Sequence, residues 1–281
     1  MRTQPIERQL ERHLMQVEKP GRYVGGEYNS VVKDWDHMEI KVALAFPDIY
    51  DLGMSNLGIM NLYNQVNLQP DMLAERAFSP WLDMEAVMRR EGIPLYSLES
   101  KRPLRDFDLL GISLPYEQLY TNAVNLLDLA GLPVLSRERD ERYPLVIAGG
   151  HACFNPEPMV DFVDAFVIGE GEEIIVEIAR LVRDTRGMSR RDQLREIAKI
   201  QGMYVPRFYD VEYYDDGVLR SIAPNEPGIP ARVLKRIVVT LPKPFTKFLV
   251  PNIDTVHNRA PIEIMRGCTR GCRFCHAGMV T

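Results

Sequence analysis

The sequence predicts an α/β protein built on an open parallel sheet with helices on both faces. Between residue 38 and about residue 183, segments typical of buried strands alternate with segments of helical periodicity. Repeated strand–helix units of this kind favour a doubly wound sheet, in which ligands bind at the carboxyl ends of the strands. After about residue 200 the composition changes to a turn-rich and then proline-rich chain.

Four segments are predicted to be strands because they are short apolar runs bounded by proline or glycine. The first ends at Pro47, the second at Pro115, and the third in the paired glycines Gly149 and Gly150. The four strands are MEIKVALAF (38–46), DFDLLGISL (106–114), PLVIAGG (144–150) and VDAFVIG (163–169).

Four helices are predicted between or after these strands. Ser55 is the predicted N-cap of the first, and Gly92 closes the second. In the last helix Ile174, Ile178 and Leu181 fall on one face, as an amphipathic helix requires. The helices are SNLGIMNLYNQV (55–66), WLDMEAVMRREG (81–92), YEQLYTNAVNLLDLAG (116–131) and EEIIVEIARLVRD (172–184).

The chain is predicted to have four regions: a helical extension (1–37), the α/β domain (38–200), a hairpin with a proline-rich connector (201–258), and a last region (259–281). The hairpin turns at Asp216-Gly217. The connector is locally basic, which indicates solvated charge or, as the less favoured alternative, an RNA-binding surface. The last region is predicted to begin with the strand APIEIMRG (260–267) and to continue into a cysteine loop.

Composition and charge exclude several classes of protein. The 281 residues are 46% hydrophobic with a net charge of −5, which gives a real core and no overall nucleic-acid footprint. No run approaches the roughly 18 apolar residues of a membrane span. The N-terminus has no apolar signal core, so we expect a cytoplasmic protein. Because cytosolic thiols stay reduced, clustered cysteines are more typical of metal ligands than of disulfides.

Three of the four cysteines lie within eight positions, in the order Cys268-x3-Cys272-x2-Cys275. CRFCH matches a haem-attachment motif, but that chemistry needs export and leaves Cys268 unexplained. Structural zinc is a better alternative, with His276 as a fourth ligand, although Cys275 and His276 are adjacent. Buried free thiols are disfavoured beside three arginines. An iron–sulfur cluster held by three thiolates would leave one iron open to a substrate or cofactor.

The loop CTRGCRFC, following IEIMRG, resembles the signature of the radical S-adenosylmethionine superfamily. The resemblance implies that Cys268, Cys272 and Cys275 bind a 4Fe–4S cluster and that S-adenosylmethionine chelates the fourth iron. It also implies that the backbone of Phe274 lies near the adenine. By family, the cluster would cleave S-adenosylmethionine to a 5′-deoxyadenosyl radical, with flavodoxin or ferredoxin as the electron donor.

The α/β region resembles the Rossmann- or flavodoxin-like cobalamin-binding domain that precedes many of these cores. FPDIYDLGMSNLG is similar to the cobalamin loop, with Asp48 and Gly53 retained and Tyr50 in place of the histidine ligand. The resemblance places Ser113, Leu114, Gly149 and Gly150 near the cobalamin tail. Because tyrosine cannot serve as the lower imidazole ligand, cobalamin binding is the less favoured expectation. The glycines also fit ordinary turns, and Glu172 and Glu173 fit the first turn of any helix.

The resemblance implies an enzyme that modifies RNA or a small molecule, by methylation or another reaction. The barrel strands expected after the cysteine loop do not follow in this sequence, so we expect a fragment that is inactive alone. The missing barrel portion is therefore an expected partner. A non-catalytic corrinoid- or metal-binding module with a zinc or cluster tail remains the alternative.

Overall fold

The computed structural model describes residues 5–257 and 259–280. Three of the regions predicted from the sequence therefore extend slightly beyond the described chain. Residues 1–4 of the N-terminal extension, residue 258 of the connector and residue 281 of the last region lie outside it. None of the described helices is long and apolar enough to cross a membrane.

One six-stranded sheet organises the first two-thirds of the chain, in the order β2-β1-β3-β4-β5-β6. Its first five members pair in parallel, and the last pairs antiparallel at one edge. The strands are β1 (Ile40–Phe46), β2 (Met72–Phe78), β3 (Leu109–Ser113), β4 (Leu145–Gly149), β5 (Ala165–Val167) and β6 (Met203–Tyr204). The predicted α/β class is confirmed, and the arrangement is that of a Rossmann/flavodoxin-like sheet.

Strand β2 is absent from the sequence prediction. Its sequence MLAERAF places Glu75 and Arg76 in the middle of a strand that is buried throughout. The Arg76 guanidinium is fully buried, and it pairs with Glu27 at 2.8 Å and Glu99 at 2.7 Å. Charged residues normally indicate an exposed segment. Apolar periodicity therefore does not predict a strand whose charged side chain is buried with partners that are distant in sequence.

Helices connect and cover the strands, and α3 (Leu57–Asn67) and α6 (Ile174–Asp184) pack on each other and on β1. The predicted face of the last helix is confirmed, since Ile174 and Ile178 are fully buried and Leu181 packs partly buried against the core. Ser55 is not the N-cap: Asn56 accepts from the backbone N–H of Ile59, and the Ser55 hydroxyl donates to the Asp51 carbonyl. The helices are α1 (Ile6–Glu11), α2 (Tyr50–Gly53), α3 (Leu57–Asn67), α4 (Leu82–Glu91), α5 (Tyr120–Leu129), α6 (Ile174–Asp184), α7 (Arg190–Ile197) and α8 (Ala277–Val280).

The chain after β6 forms a hairpin and then packs back onto the sheet region. Strands β7 (Tyr209–Tyr213) and β8 (Leu219–Pro224) pair antiparallel. In the proline-rich connector, the Asn252 backbone N–H donates to the Tyr50 hydroxyl at 3.0 Å, and its side chain donates to the Gly25 carbonyl at 2.8 Å. The connector therefore joins the N-terminal segment to the sheet region.

The strand predicted over 260–267 is not formed. Residues 261–266 have no regular secondary structure and no ladder partner among the described residues. Ile262, Ile264 and Met265 are consequently exposed, by 68%, 86% and 66% respectively. Alternating apolar residues predict a strand only where a neighbouring strand is present to accept its hydrogen bonds.

Candidate ligand and metal site at the carboxyl edge of the sheet

A cavity of about 390 Å³ opens at the carboxyl ends of the parallel strands. Its floor includes Ala45 of β1, Ser113 of β3 and Gly149 of β4. Strand β1 lies between β2 and β3, so the chain changes direction across the sheet at this point, where ligands bind in doubly wound folds. Side chains of α3 and α6 make one wall mainly apolar, among them Leu57 and Ile175.

The cavity brings together three of the residues predicted for cobalamin contact. Ser113, Gly149 and Gly150 line it. Leu114 lies directly behind them and is fully buried. The carbonyl of Leu114 accepts from the Ala152 backbone N–H at 3.1 Å, so this residue supports the turn after β4 and does not line the cavity.

The three residues predicted from the loop after β1 do not line this cavity. Asp48 is half-buried, and its carboxylate accepts from the adjacent Ile49 N–H at 2.7 Å. Tyr50 is 1% exposed, stands edge-on to Phe78 at 5.5 Å between ring centroids, and accepts from Asn252. Gly53 also packs on Phe78, since an added Cβ would lie 2.2 Å from that ring.

Tyr50 does not fit the role of a lower ligand to cobalt. Burial raises the pKa of its hydroxyl, and the nearby Glu27 carboxylate raises it further. The side chain is held between Phe78 and the connector, away from the cavity that Ser113 and Gly149 line. The loop after β1 therefore supports the packing of the connector.

The loop between β5 and α6 carries an acidic edge of the cavity. Glu170 and Glu172 both line it, in the sequence Gly169-Glu170-Gly171-Glu172. Gly169 has a φ of 117°, and an added Cβ would lie 2.2 Å from the Arg236 carbonyl, so the connector runs directly against this loop. Backbone hydrogen bonds join the two segments, with Arg236 N–H donating to Ile168 at 2.9 Å.

Arg266 binds this acidic edge from the segment before the cysteines. Its guanidinium lies 3.1 Å from Glu170, contacts Glu172, and pairs with Glu263 at 2.6 Å. The pKa of Arg266 is raised, first by the hydrogen bond with Glu263, while burial opposes the shift and Glu172 and Glu170 add to it. The guanidinium of Arg266 is therefore engaged by three carboxylates at once.

The cysteine loop presents its thiols outward. Cys268 and Cys272 are exposed, Cys275 is half-buried, and all three are free thiols. Gly267 and Gly271 have φ values of 73° and 63°, so each turn before a cysteine uses the left-handed region that favours glycine. Phe274 is 91% exposed.

The donor set fits an iron–sulfur cluster by its chemistry. Thiolates hold such clusters, and three of them on one short loop leave one iron without a protein ligand. Within residues 5–257 and 259–280, no three His, Cys, Asp or Glu side chains are already grouped to hold a metal ion. The buried Cys153 belongs to the turn after β4, where burial raises the pKa of its thiol.

Comparison with known proteins decides the family. Residues 58–206, more than half of the chain, match the family described as radical SAM proteins, N-terminal, where SAM is S-adenosylmethionine. The chain belongs to this radical SAM family. The family in general implies a 4Fe–4S cluster and SAM, and it makes an enzyme the coarse functional class.

A relative in Methanocaldococcus jannaschii, the uncharacterized protein MJ0966, is 24% identical over 240 residues. The aligned residues are 84% of this chain and 40% of the relative, so this radical SAM chain spans less than half of the relative's length. No solved structure matches the chain significantly.

Four residues of the site are missing from the sequence prediction as site residues: Glu170, Glu172, Glu263 and Arg266. For Glu170 and Glu172 the sequence signal is weak, because acids before a helix are favourable whatever the function. The pattern that marks these two residues is the alternation of glycine and glutamate at 169–172, which places two carboxylates on one loop.

Proposed function

We propose that this protein is a radical SAM enzyme whose 4Fe–4S cluster is held by Cys268, Cys272 and Cys275. The observation that carries the proposal is the exposed loop Cys268-x3-Cys272-x2-Cys275 in a chain of the radical SAM family. When bound, the cluster supplies the electron that cleaves SAM to a 5′-deoxyadenosyl radical. The substrate is a small molecule or an RNA, and flavodoxin or ferredoxin is the electron donor that this chemistry needs.

The residues of this chain bind and position, as the protein does in cofactor enzymes generally. The thiolates of Cys268, Cys272 and Cys275 would hold the iron, and the first two of these cysteines each follow a glycine in the left-handed region. The exposed Phe274 is assigned to the adenine of SAM. The cavity above Ser113 and Gly149 is the place in the α/β domain where an apolar part of a ligand would be shielded from water.

Metal analysis of single cysteine variants tests the proposal. After anaerobic reconstitution, the unchanged chain is expected to hold about four irons and four sulfides. Cys268→Ala, Cys272→Ala and Cys275→Ala should each lose most of this iron, because only three protein thiolates are present to hold it. Cys153→Ala is the matched control, since this thiol is buried in the α/β domain, and it should keep full iron.

Spectroscopy separates the radical SAM enzyme from the alternative metal-binding module. Reduction should give an EPR signal whose shape changes when SAM is added, as an open iron requires. Stoichiometric zinc with no iron would contradict the proposal and favour the non-catalytic module. Cobalt retained through purification would show that the domain binds a corrinoid although Tyr50 stands in place of the histidine ligand.

A further inference from the structure

Arg266 connects the cysteine loop to the α/β domain. It lies two positions before Cys268, and its side chain points to carboxylates that precede it by more than ninety positions. Glu170 and Glu172 come from the loop between β5 and α6, whereas Glu263 is local. A planar guanidinium can serve several carboxylates at once with fixed geometry, which the point charge of lysine cannot do.

The contact between Arg266 and Glu172 is largely shielded from solvent. The side chains of Glu172 and Arg266 are only 9% and 17% exposed. Without Arg266, three carboxylates would face each other at the cavity edge with no cation between them. Glu170 also accepts from the Val238 backbone N–H, so the same loop holds the connector and the cysteine segment.

The other end of the cysteine loop is held as well. Val280 is 7% exposed and lines the same cavity, and its carbonyl accepts from the Lys235 ammonium at 2.6 Å. Gly278 lies against the start of the loop, since an added Cβ would be 2.8 Å from the Cys268 carbonyl. The three cysteines thus lie on a closed loop with one anchor before them and one after them.

We propose that Arg266 is a positioning residue that fixes the cysteine loop at the carboxyl edge of the sheet through Glu170 and Glu172. This inference rests on the proposed function, because the position matters only if the loop binds the cluster. Arg266 does not touch the reacting atoms. It sets where the three thiols stand relative to the cavity of the α/β domain, and therefore how a SAM molecule at the loop meets that domain.

Hydrogen exchange of the metal-free chain tests the anchor without any cofactor. Arg266→Gln should speed exchange of the hydrogen-bonded amides of Cys275 and Val280 about tenfold, the change that a loss of ~1.4 kcal/mol of local stability produces. Glu172→Gln should act in the same direction, and the double variant should be less than additive because the two residues share one contact. Arg259→Gln removes an exposed arginine of the same segment and should leave exchange unchanged.

Exchange in Arg266→Gln as slow as in the unchanged chain would overturn the anchor. Should this variant fail to fold, as judged by circular dichroism, Arg266→Lys decides by the same criterion. Lysine keeps the positive charge but lacks the planar guanidinium. Amide exchange in Arg266→Lys should therefore be faster than in the unchanged chain, but slower than expected for Arg266→Gln.

Experiments on the chain reconstituted with iron and sulfide test whether Arg266 positions the cysteine loop or only stabilises the fold. Arg266→Lys should keep its iron, yet the SAM concentration that half-saturates the EPR change should rise about tenfold, equal to ~1.4 kcal/mol of binding. An unchanged SAM requirement would refute the positioning role even if exchange is faster. If the unchanged chain takes up no iron, the proposed function fails, while the exchange experiment still decides whether Arg266 anchors the loop.

Discussion

Two adjacent glycines at the end of β4, Gly149 and Gly150, differ in whether the backbone and its neighbours leave room for a side chain. Gly150 has a φ of 119°, and an added Cβ would lie 2.4 Å from the Leu114 carbonyl, so the fold itself requires glycine. An added Cβ at Gly149 would lie 3.6 Å from Val167, an ordinary contact distance. Nothing in the backbone requires glycine there, which is consistent with space kept for a ligand in the cavity.

Alanine at these two positions should therefore have different effects. Gly150→Ala is expected to lower the free energy of unfolding by about 3 kcal/mol, because the left-handed backbone and the carbonyl clash both oppose it. Gly149→Ala is its matched control and should change stability by less than about 1 kcal/mol. Urea unfolding of both variants measures the difference, and equal losses would contradict this distinction.

The sequence predicts individual residues of the candidate site, but it does not predict which of them form ion pairs with one another. The three cysteines follow from a local motif, and Ser113 and Gly149 follow from the resemblance to a cobalamin-binding domain. Glu172 was predicted only as a favourable acid before a helix, whereas its carboxylate pairs with Arg266. That partner lies 94 positions away, and no local pattern contains such a distance.

At the scale of elements, short α2 joins the N-terminal segment to the sheet. Asp51 of this helix accepts from Arg22 at 2.6 Å and from Lys19 at 2.9 Å, and its side chain is 10% exposed. Burial opposes ionisation of Asp51, but the hydrogen bonds from Arg22 and Lys19 outweigh it, so its pKa is lowered. A lowered carboxyl pKa stabilises the fold above the ordinary value of about 3.9, and this stabilisation is lost as the pH falls through the folded value.

Asp51→Asn should therefore destabilise the protein at pH 7 by about 3 kcal/mol, since Arg22 stays buried without its counter-charge. The difference from the unchanged chain should shrink as the pH falls below the ordinary carboxyl value of about 3.9 and through the lower folded-state pKa of Asp51, since Asp51 is protonated in both the folded and the unfolded state only below that value. Urea unfolding of both proteins, from pH 7 down to the acid range, measures this difference in the free energy of unfolding. Asp215→Asn, in the exposed hairpin, should show no such dependence, and a constant deficit in Asp51→Asn would refute the ion-pair explanation.

Apolar periodicity predicted four of the five parallel strands because β1, β3, β4 and β5 are short apolar runs. It missed β2, where the buried Arg76 pairs with Glu27 and Glu99 and the buried Glu75 accepts from Ser100, contacts that only the tertiary structure supplies. It also predicted a strand at 260–267, where the apolar alternation is real but no described segment pairs with it. Apolar alternation shows that a segment could bury one face as a strand, but a strand forms only where a neighbouring strand accepts its hydrogen bonds.

At the scale of the whole molecule, the connector is part of the structured region. Ile229, Val238 and Leu249 are buried, although the surrounding sequence is rich in proline and basic residues. Arg236 pairs with Glu173 at 2.9 Å and Glu177 at 2.6 Å, which attaches the connector to the start of α6. By contrast, residues 259–276 are largely exposed, and their strong contact with the sheet region is Arg266.

Two shortened chains should separate these contributions. A chain of residues 1–257 should unfold within about 4 °C of the full sequence, because about 1 kcal/mol shifts the midpoint by roughly 2–4 °C at this size. A chain of residues 1–225 should unfold at least about 10 °C lower, since it loses the buried connector residues, the Arg236 pairs and the Asn252 hydrogen bond to Tyr50. Thermal unfolding followed by circular dichroism makes the comparison. Equal midpoints for the two shortened chains would show that the connector adds no stability, and a large loss in the 1–257 chain would show that the cysteine segment supports the whole fold.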